Sequence, residues 1–158
     1  MTTPINQVTN SILYESLNDK FPYKIKSSHI VDIFNIIGRC VISGNVRRSA
    51  LLALGSKDDD EFSKLKQDKE KLKSHRWASN NSISCITGLD YDKFVKDTII
   101  NGEPGYVWLE NARHYGRLKD KFNGKDLRVK GVNPCGEIFL DSYELCNLLQ
   151  TFPINHDS

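Results

Sequence analysis

The sequence predicts an α/β fold, because helix-spaced apolar residues alternate along it with short apolar runs. Apolar side chains recur at helical spacing over residues 28–44, and the apolar run Leu51–Leu54 follows them. A second unit repeats this order, with a helix predicted over Tyr91–Ile100 and a buried strand over Tyr106–Leu109. Helices that alternate with strands are typical of the α/β class.

Length and composition fit a globular domain and exclude several partners. The chain has 158 residues, of which 39% are hydrophobic and 27% charged, enough for one ordinary core. A net charge of +2 gives no electrostatic reason to expect binding to nucleic acid or to a membrane. With no signal peptide and no apolar run long enough to cross a bilayer, the expected location is the cytoplasm.

The four cysteines favour thiol chemistry over a structural metal site. They form no Cys-x-x-Cys pair, and no histidines lie at ligand spacing from them. Structural zinc is therefore disfavoured, and reduced or redox-active thiols are the better interpretation.

The first predicted domain element is a helix that begins at Ser28 and stops at Gly44. Residues 1–27 carry no clear assignment, so the domain is placed at 28–158. Ser28 is a suitable N-cap. Because Val31 and Ile36 are apolar too, we expect burial on more than one side, and Cys40 is expected to be a buried core thiol. The apolar stripe consists of Ile30, Ile33, Phe34, Ile37, Cys40 and Val41.

The loop that follows, residues 44–50, contains two adjacent arginines. Arg47 and Arg48 could bind phosphate or stack on a base, although arginines in a loop are more often solvated surface. Residues 57–73 then predict a solvated surface helix, with acidic residues first and lysines last. A polar cluster over residues 74–82 leads to a short predicted strand at Ile83–Ile86.

The last third holds the residues best suited to catalysis. Residues 111–130 predict a basic connecting loop. In an extended backbone, which Pro134 favours, the side chains of Asn133, Cys135 and Glu137 would share one face. An amide, a thiol and a carboxylate suit a sugar-like substrate, because they can hold hydroxyls, attack, and accept a proton.

A second thiol, Cys146, indicates a dithiol that can become a disulfide. A two-residue turn at Asp141-Ser142 would place Cys146 opposite Glu137 across a pair of strands, which is one geometry among several.

The sequences of these segments resemble those of the ribonucleotide reductases. Asn-Pro-Cys-Gly-Glu-Ile, followed by Leu-Cys-Asn-Leu, resembles the active-site segment of the adenosylcobalamin-dependent class II enzymes. Gly-Asn-Val-Arg-Arg-Ser-Ala, Ala-Ser-Asn-Asn-Ser-Ile and Gly-Glu-Pro-Gly-Tyr occur in the family's order, so the resemblance covers about residues 30–153. The glycine after Cys135 and the paired arginines favour class II over class I.

The resemblance implies a partial ten-stranded α/β barrel, incomplete in this chain. About a third of such a barrel fits this length, so we interpret the chain as an internal fragment of the catalytic subunit. Unpaired barrel edges then predict that the isolated chain is unstable or aggregates, and that it needs complementary reductase fragments.

The resemblance also assigns roles to residues. Cys135 would carry the thiyl radical, Glu137 would deprotonate the substrate's 3′ hydroxyl, Asn133 would hold the ribose, and Cys146 would be half of the reducing dithiol. Neither Cys40 nor Cys85 matches the position of the second thiol. Contacts to substrate and effector are implied for Gly44, Asn45, Arg47 and Arg48 of the specificity loop, and for Ser79, Asn80, Asn81 and Ser82.

The implied partners are a ribonucleotide substrate, a deoxynucleotide effector and a thioredoxin-like reductant. The cofactor would be adenosylcobalamin, bound at a site not contained in this chain, and the sequence leaves open whether diphosphates or triphosphates are used. Three alternatives remain: a class I large-subunit fragment, a non-catalytic remnant that binds effector, and an unrelated thiol-dependent enzyme that works alone.

Overall fold

The fold is α/β, with a small parallel sheet and a separate two-stranded hairpin. The computed structural model describes residues 24–46, 48–115, 121–147 and 149–152. Five α-helices occur in these residues: α1 (Ser27–Ile42), α2 (Asp60–Ser63), α3 (Lys69–Ser74), α4 (Asp92–Asn101) and α5 (Leu109–Tyr115). Two short 3-10 helices, Leu65–Gln67 and Arg76–Ala78, accompany them. The strands described are β1 (Leu52–Ser56), β2 (Asn80–Ser84), β3 (Gly105–Val107), β4 (Gly131–Val132) and β5 (Phe139–Leu140).

The sheet has the order β1-β2-β3, and both strand pairs are parallel. Leu54 lies beside Ser82 in the first pair, and Ser82 lies beside Gly105 in the second. The predicted strand at Ile83–Ile86 begins earlier than expected, at Asn80, so the polar residues before Ile83 belong to the sheet. Side chains alternate between the two faces along each strand, and this alternation decides what each residue contacts.

Each face of the sheet packs against a different layer. One face meets the helices in a core that includes Phe62, Phe94 and Ile83 of β2. On the other face, Leu54 of β1 and Val107 of β3 pack against the cluster that Val129 and Phe139 form around the hairpin. Helices α1, α2 and α4 are therefore separated from the hairpin by the sheet, whereas α5 lies on the hairpin side.

Helix α1 buries a face that the sequence did not predict. Ile36 and Val31 are buried as expected, but the residues of the apolar stripe are 40–56% exposed at Ile30, Ile33, Phe34 and Ile37. The prediction for Cys40 was wrong, since this thiol is exposed. The stripe lies outside because α1 turns its polar side inward, where Ser28, Asp32 and Asn35 each find a partner.

The central partner is the Asp32–Arg76 ion pair. Nε and Nη2 of Arg76 donate to the two carboxylate oxygens of Asp32 at 2.6 and 2.9 Å, and Nε2 of His75 lies 2.9 Å from Oδ1. Burial by itself would raise the pKa of Asp32, but the hydrogen bonds and charges of Arg76 and His75 outweigh it and lower the pKa from 3.8 to about 2. His75, unassigned from the sequence, is therefore a buried structural residue.

The predicted helix over residues 57–73 is broken into short pieces. Asp59 caps α2 by accepting the N–H of Phe62, and Asp68 caps α3 by accepting those of Glu70 and Lys71. Two N-caps in one charged run start two helices. The break turns Lys66 inward, where it is only 4% exposed.

Other boundaries also differ from the predictions. Helix α1 begins at Ser27 with Lys26 as its N-cap and ends at Ile42, before Gly44. Helix α4 extends one residue beyond its predicted end, to Asn101, and Gly102 ends it with a left-handed backbone at φ +83°. Part of the predicted loop at 111–130 is helix α5. Among the described residues, no helix is long and apolar enough to cross a membrane.

Candidate active site

The predicted catalytic segment forms the turn of the β4–β5 hairpin. Val132 pairs with Phe139, so residues 133–138 connect the two strands. The N–H of Asn133 donates to Ile138 O at 3.0 Å, and the N–H of Gly136 donates to Asn133 O at 2.9 Å. Gly136 has φ +86°, a left-handed conformation that glycine adopts without strain.

The prediction of an extended segment at 133–137 was therefore wrong. Pro134 does favour an extended residue before it, but Gly136 reverses the chain two residues later. The predicted pairing of Glu137 with Cys146 was wrong as well, because Glu137 lies within the turn and the paired strands are β4 and β5. The positions of the Asn133, Cys135, Glu137 and Cys146 side chains therefore do not follow from the alternation of side chains along a strand.

Asn133 organises the turn through its side chain. It is 3% exposed, and its Oδ1 accepts the N–H groups of Glu137 and Ile138, both at 3.0 Å. Its Nδ2 donates to Sγ of Cys146 at 3.2 Å. An amide oxygen has two lone pairs and an amide nitrogen two hydrogens, so one N–H of Asn133 is left for another acceptor.

A second turn brings Cys146 back to the hairpin. After β5, the N–H of Asp141 donates to Oε2 of Glu144 at 2.7 Å, and Tyr143 has φ +65°. The N–H of Ser142 lowers the pKa of Asp141 from its ordinary value, and Lys130 and Arg128 add to this effect. The structure thus brings Asn133 and Cys146 into contact from opposite ends of the segment.

Cys135 and Glu137 are both exposed on the turn that Asn133 closes. The hairpin beneath them is fixed to the rest of the molecule, because Val129 is 1% exposed and its carbonyl accepts Nε of Arg113 at 2.8 Å. Exposure leaves the thiol and the carboxylate free to meet a ligand. Cys85, in contrast, is buried, and burial raises the pKa of its thiol, which keeps it protonated and inert.

The polar residues 79–82 divide between the two faces of the sheet. Ser79 and Asn81 turn toward the helices, where Nδ2 of Asn35 donates to Oγ of Ser79 at 3.0 Å and Ser79 donates to Oδ1 of Asn81 at 2.9 Å. Asn80 and Ser82 are on the hairpin side, and only Asn80 is exposed. Ser79 and Asn81 therefore make hydrogen bonds inside the protein.

The loop after α1 is exposed at Gly44, Asn45 and Arg48. Asn45 has φ +57°, and its N–H donates to Ile42 O at 3.0 Å, so the loop turns tightly as it leaves the helix. Arg47 lies outside the described residues. In the described part of the chain, no hydrogen bond or ion pair joins Gly44, Asn45 or Arg48 to the cysteine turn, which consists of residues 133–138.

Known proteins resemble the chain along most of its length. It is 50% identical over 139 residues to the adenosylcobalamin-dependent ribonucleoside-triphosphate reductase of Lactobacillus gasseri, and 48% identical over 142 residues to that of Lactobacillus leichmannii. A probable enzyme of the same name from Dictyostelium discoideum is 45% identical over 145 residues. No protein-family profile matches.

A solved structure agrees with these relatives. The crystal structure of a B12-dependent class II ribonucleotide reductase matches 96% of the chain with a TM-score of 0.77 and 42% identity. The chain is similar to a segment of the class II ribonucleotide reductases. The resemblance in the sequence motifs is thereby confirmed.

The match covers a limited part of each relative. It spans 19% of the Lactobacillus gasseri reductase, although it takes in 87% of this chain, and 21% of the solved class II reductase. The chain therefore corresponds to about a fifth of a class II ribonucleotide reductase.

Several buried residues of this reductase segment were missed in the sequence. Lys66, Arg76 and Asp32 sit in charged or amphipathic runs that look solvated, and their partners lie far along the chain. Glu103 was noted only within the Gly-Glu-Pro-Gly-Tyr motif. The spacing of Asp59 and Asp68 was the one available signal, because two N-caps imply that the charged run is not a single helix.

Proposed function

We propose that this chain supplies the thiyl-radical and reductant-facing residues of a class II ribonucleotide reductase that converts ribonucleotides to deoxyribonucleotides. The supporting observation is the hydrogen bond from Nδ2 of Asn133 to Sγ of Cys146, made on the turn that carries Cys135 and Glu137. A single side chain thus joins the predicted radical segment to the predicted reducing thiol.

In the proposed chemistry, each of the four side chains has a defined role. The Cys135 thiyl radical takes the hydrogen from the 3′ carbon, so an S–H bond forms as a C–H bond of similar strength breaks. Glu137 accepts the proton of the 3′ hydroxyl, and the free N–H of Asn133 holds a ribose oxygen. As water leaves the 2′ carbon, Cys146 and a second thiol from another part of the reductase give two electrons and two protons and become a disulfide. Cys135 then returns its hydrogen to the 3′ carbon, which re-forms the C–H bond and the thiyl radical.

Adenosylcobalamin, when bound, supplies the initiating radical, but the described residues do not fit it. A cavity of about 500 Å³ among the described residues is lined mainly by α1, β1 and Phe62, and none of its lining residues belongs to the cysteine turn. We therefore place the cofactor site in a part of the enzyme beyond these residues.

The proposed setting is a ten-stranded barrel completed by complementary reductase segments. The parallel sheet and the hairpin would be portions of its wall and of its inner loop. The exposed loop at 44–50 would contact a deoxynucleotide effector, and a thioredoxin-like protein would reduce the disulfide.

A segment exchange tests the function. The chain replaces the matching segment of the Lactobacillus gasseri reductase, and turnover and nucleotide binding are measured on the hybrid. We expect Cys135→Ser to abolish turnover with binding retained, since serine keeps the size but cannot form the sulfur radical. Cys40→Ser is the matched control, because Cys40 is an exposed thiol on α1, and it keeps turnover.

Retained turnover in the Cys135→Ser hybrid would refute the proposal. Binding of a deoxynucleotide without turnover in the unsubstituted hybrid would favour a non-catalytic effector-binding remnant.

A further inference from the structure

Strand β2 presents a polar row on the side of the sheet that faces the hairpin. Asn80, Ser82 and Ser84 share this face by alternation, together with Leu54 and Val107, which pack against the hairpin cluster. Ser82 fits against Gly105, where an added Cβ would lie 2.7 Å from Oγ of Ser82. Asn80 is the exposed member of the row at its amino end.

The backbone beside Asn80 is held by a buried ion pair. Nζ of Lys66 lies 2.9 Å from Oε2 of Glu103, and both side chains are shielded, with exposures of 4% and 19%. Lys66 also donates to the carbonyls of Arg76 and Ser79. The other carboxylate oxygen of Glu103 accepts the N–H of Asn81 at 2.7 Å.

The pair grips the strand on both sides of Asn80. Lys66 holds the residue before Asn80 and Glu103 the residue after it, while the N–H of Asn80 itself donates to Leu51 O at 2.9 Å. Asn101 braces the pair in turn, since its Nδ2 donates to Lys66 O and its Oδ1 accepts the N–H of Glu103.

Net stability is a poor reason for such an arrangement. Removing two charges from water costs several kcal/mol per ion, and a buried pair often contributes no more than apolar residues of the same size. Here, however, both charged side chains make hydrogen bonds to backbone groups within one short segment. A slip of one residue there would turn Asn80 and Ser82 to the helix side and Asn81 to the hairpin side.

We propose that Lys66 and Glu103 are positioning residues that fix the register and facing of β2 at its amino end, so that Asn80 is presented on the hairpin side. They touch no ligand themselves. This inference rests on the proposed function only for the identity of the ligand, a ribonucleotide held between β2 and the cysteine turn.

Amide hydrogen exchange on the full chain tests the positioning directly. Glu103→Ala removes the acceptor of the Asn81 N–H, so exchange at Asn81 is expected to accelerate about tenfold, as for one lost hydrogen bond of ordinary strength. The N–H of Cys85, which donates to Val107 O at 2.8 Å just beyond the other end of β2, is the internal reference and stays protected. Glu103→Gln keeps an acceptor oxygen and restores protection at Asn81.

The matched control is Asp60→Asn, which breaks the exposed Lys93–Asp60 pair of 2.6 Å and leaves Asn81 unchanged. Unaltered exchange at Asn81 in Glu103→Ala would overturn the inference. Equal acceleration at Asn81 and Cys85 would do so as well, because it would show general loosening.

Kinetics of the hybrid reductase give an independent readout. A misplaced binding group weakens substrate binding more than the chemical step, so Glu103→Ala is expected to raise KM about tenfold with a smaller change in kcat. A fall in kcat alone would contradict the positioning role. An inactive unsubstituted hybrid would count against the proposed function, whereas the hydrogen-exchange result would still decide the inference.

Discussion

The carboxamide of Asn133 makes three hydrogen bonds, two with backbone N–H groups of the turn and one with Cys146. The sequence indicated a functional residue here, and the family resemblance gave it a ribose-binding role, which stays a prediction. Its work in the turn could not be predicted, because it depends on Gly136 reversing the chain. Cys135 and Glu137 were predicted by residue type and motif, and their roles stay predictions, whereas their placement on the turn could not be predicted.

Substitution can separate the contribution of the Asn133 carboxamide oxygen to stability from that of its nitrogen. Asn133→Ala loses all three bonds and is expected to lower the free energy of unfolding by about 1–3 kcal/mol, through the buried N–H groups left unpaired. Asn133→Asp keeps an acceptor for Glu137 and Ile138 and loses only the donor to Cys146, so it should cost clearly less. Chemical denaturation measures both variants. Equal losses would mean that the bond to Cys146, and not the turn, carries the stability.

At the scale of elements, α1 explains where sequence patterns stop. The spacing of apolar residues located this helix to within a residue or two, but it could not say which side is buried. Asp32 and Asn35 are acceptable inside because Arg76 and Ser79, 44 positions away in each case, provide partners. No local pattern records such a partner, and the same is true of Lys66 and Glu103.

The Asp32 ion pair predicts a specific dependence of stability on pH. The folded-state pKa of about 2 lies below the ordinary 3.8, so the unfolded chain binds more protons between these values. The stabilisation is present above about pH 4 and is lost as the pH falls through 2, a change of about 2 kcal/mol. Asp32→Asn should remove this part of the acid dependence, as measured by unfolding at several pH values.

Asp32→Asn should also destabilise the chain at neutral pH by about 3–5 kcal/mol, because Arg76 is left as an unpaired buried charge. The control is Asp60→Asn, at an exposed pair with Lys93, for which little change is expected. A neutral-pH stability equal to that of the unsubstituted chain would show that the pair is not buried in solution.

At the scale of the whole molecule, the sequence predicted the α/β class and the order of helices and strands. It did not predict that the sheet separates α1, α2 and α4 from the hairpin and α5, since this follows from the alternation of Leu54 and Val107 against Ala53 and Ile83. The strand order leaves β1 and β3 at the sheet edges in the described residues. The expected instability of the isolated chain stays a prediction.

Helix α1 allows that expectation to be measured with neighbouring residues. Ile37 is 47% exposed and Ile36 is 3% exposed. Ile37→Glu should reduce binding of a hydrophobic dye and self-association on size-exclusion chromatography, with little change in melting temperature, because it removes exposed apolar surface. Ile36→Glu should prevent cooperative melting, because it buries an unpaired charge. Identical behaviour of the two variants would contradict the orientation of α1.

The backbone at Gly136 has one further consequence, which concerns handedness. A Cβ built there has no neighbour within 4 Å, so crowding does not explain the glycine. The restriction comes from the sign of φ alone, which suits a mirror-image amino acid as well as it suits glycine. The tip of the cysteine turn therefore disfavours ordinary side chains by their chirality and not by their size.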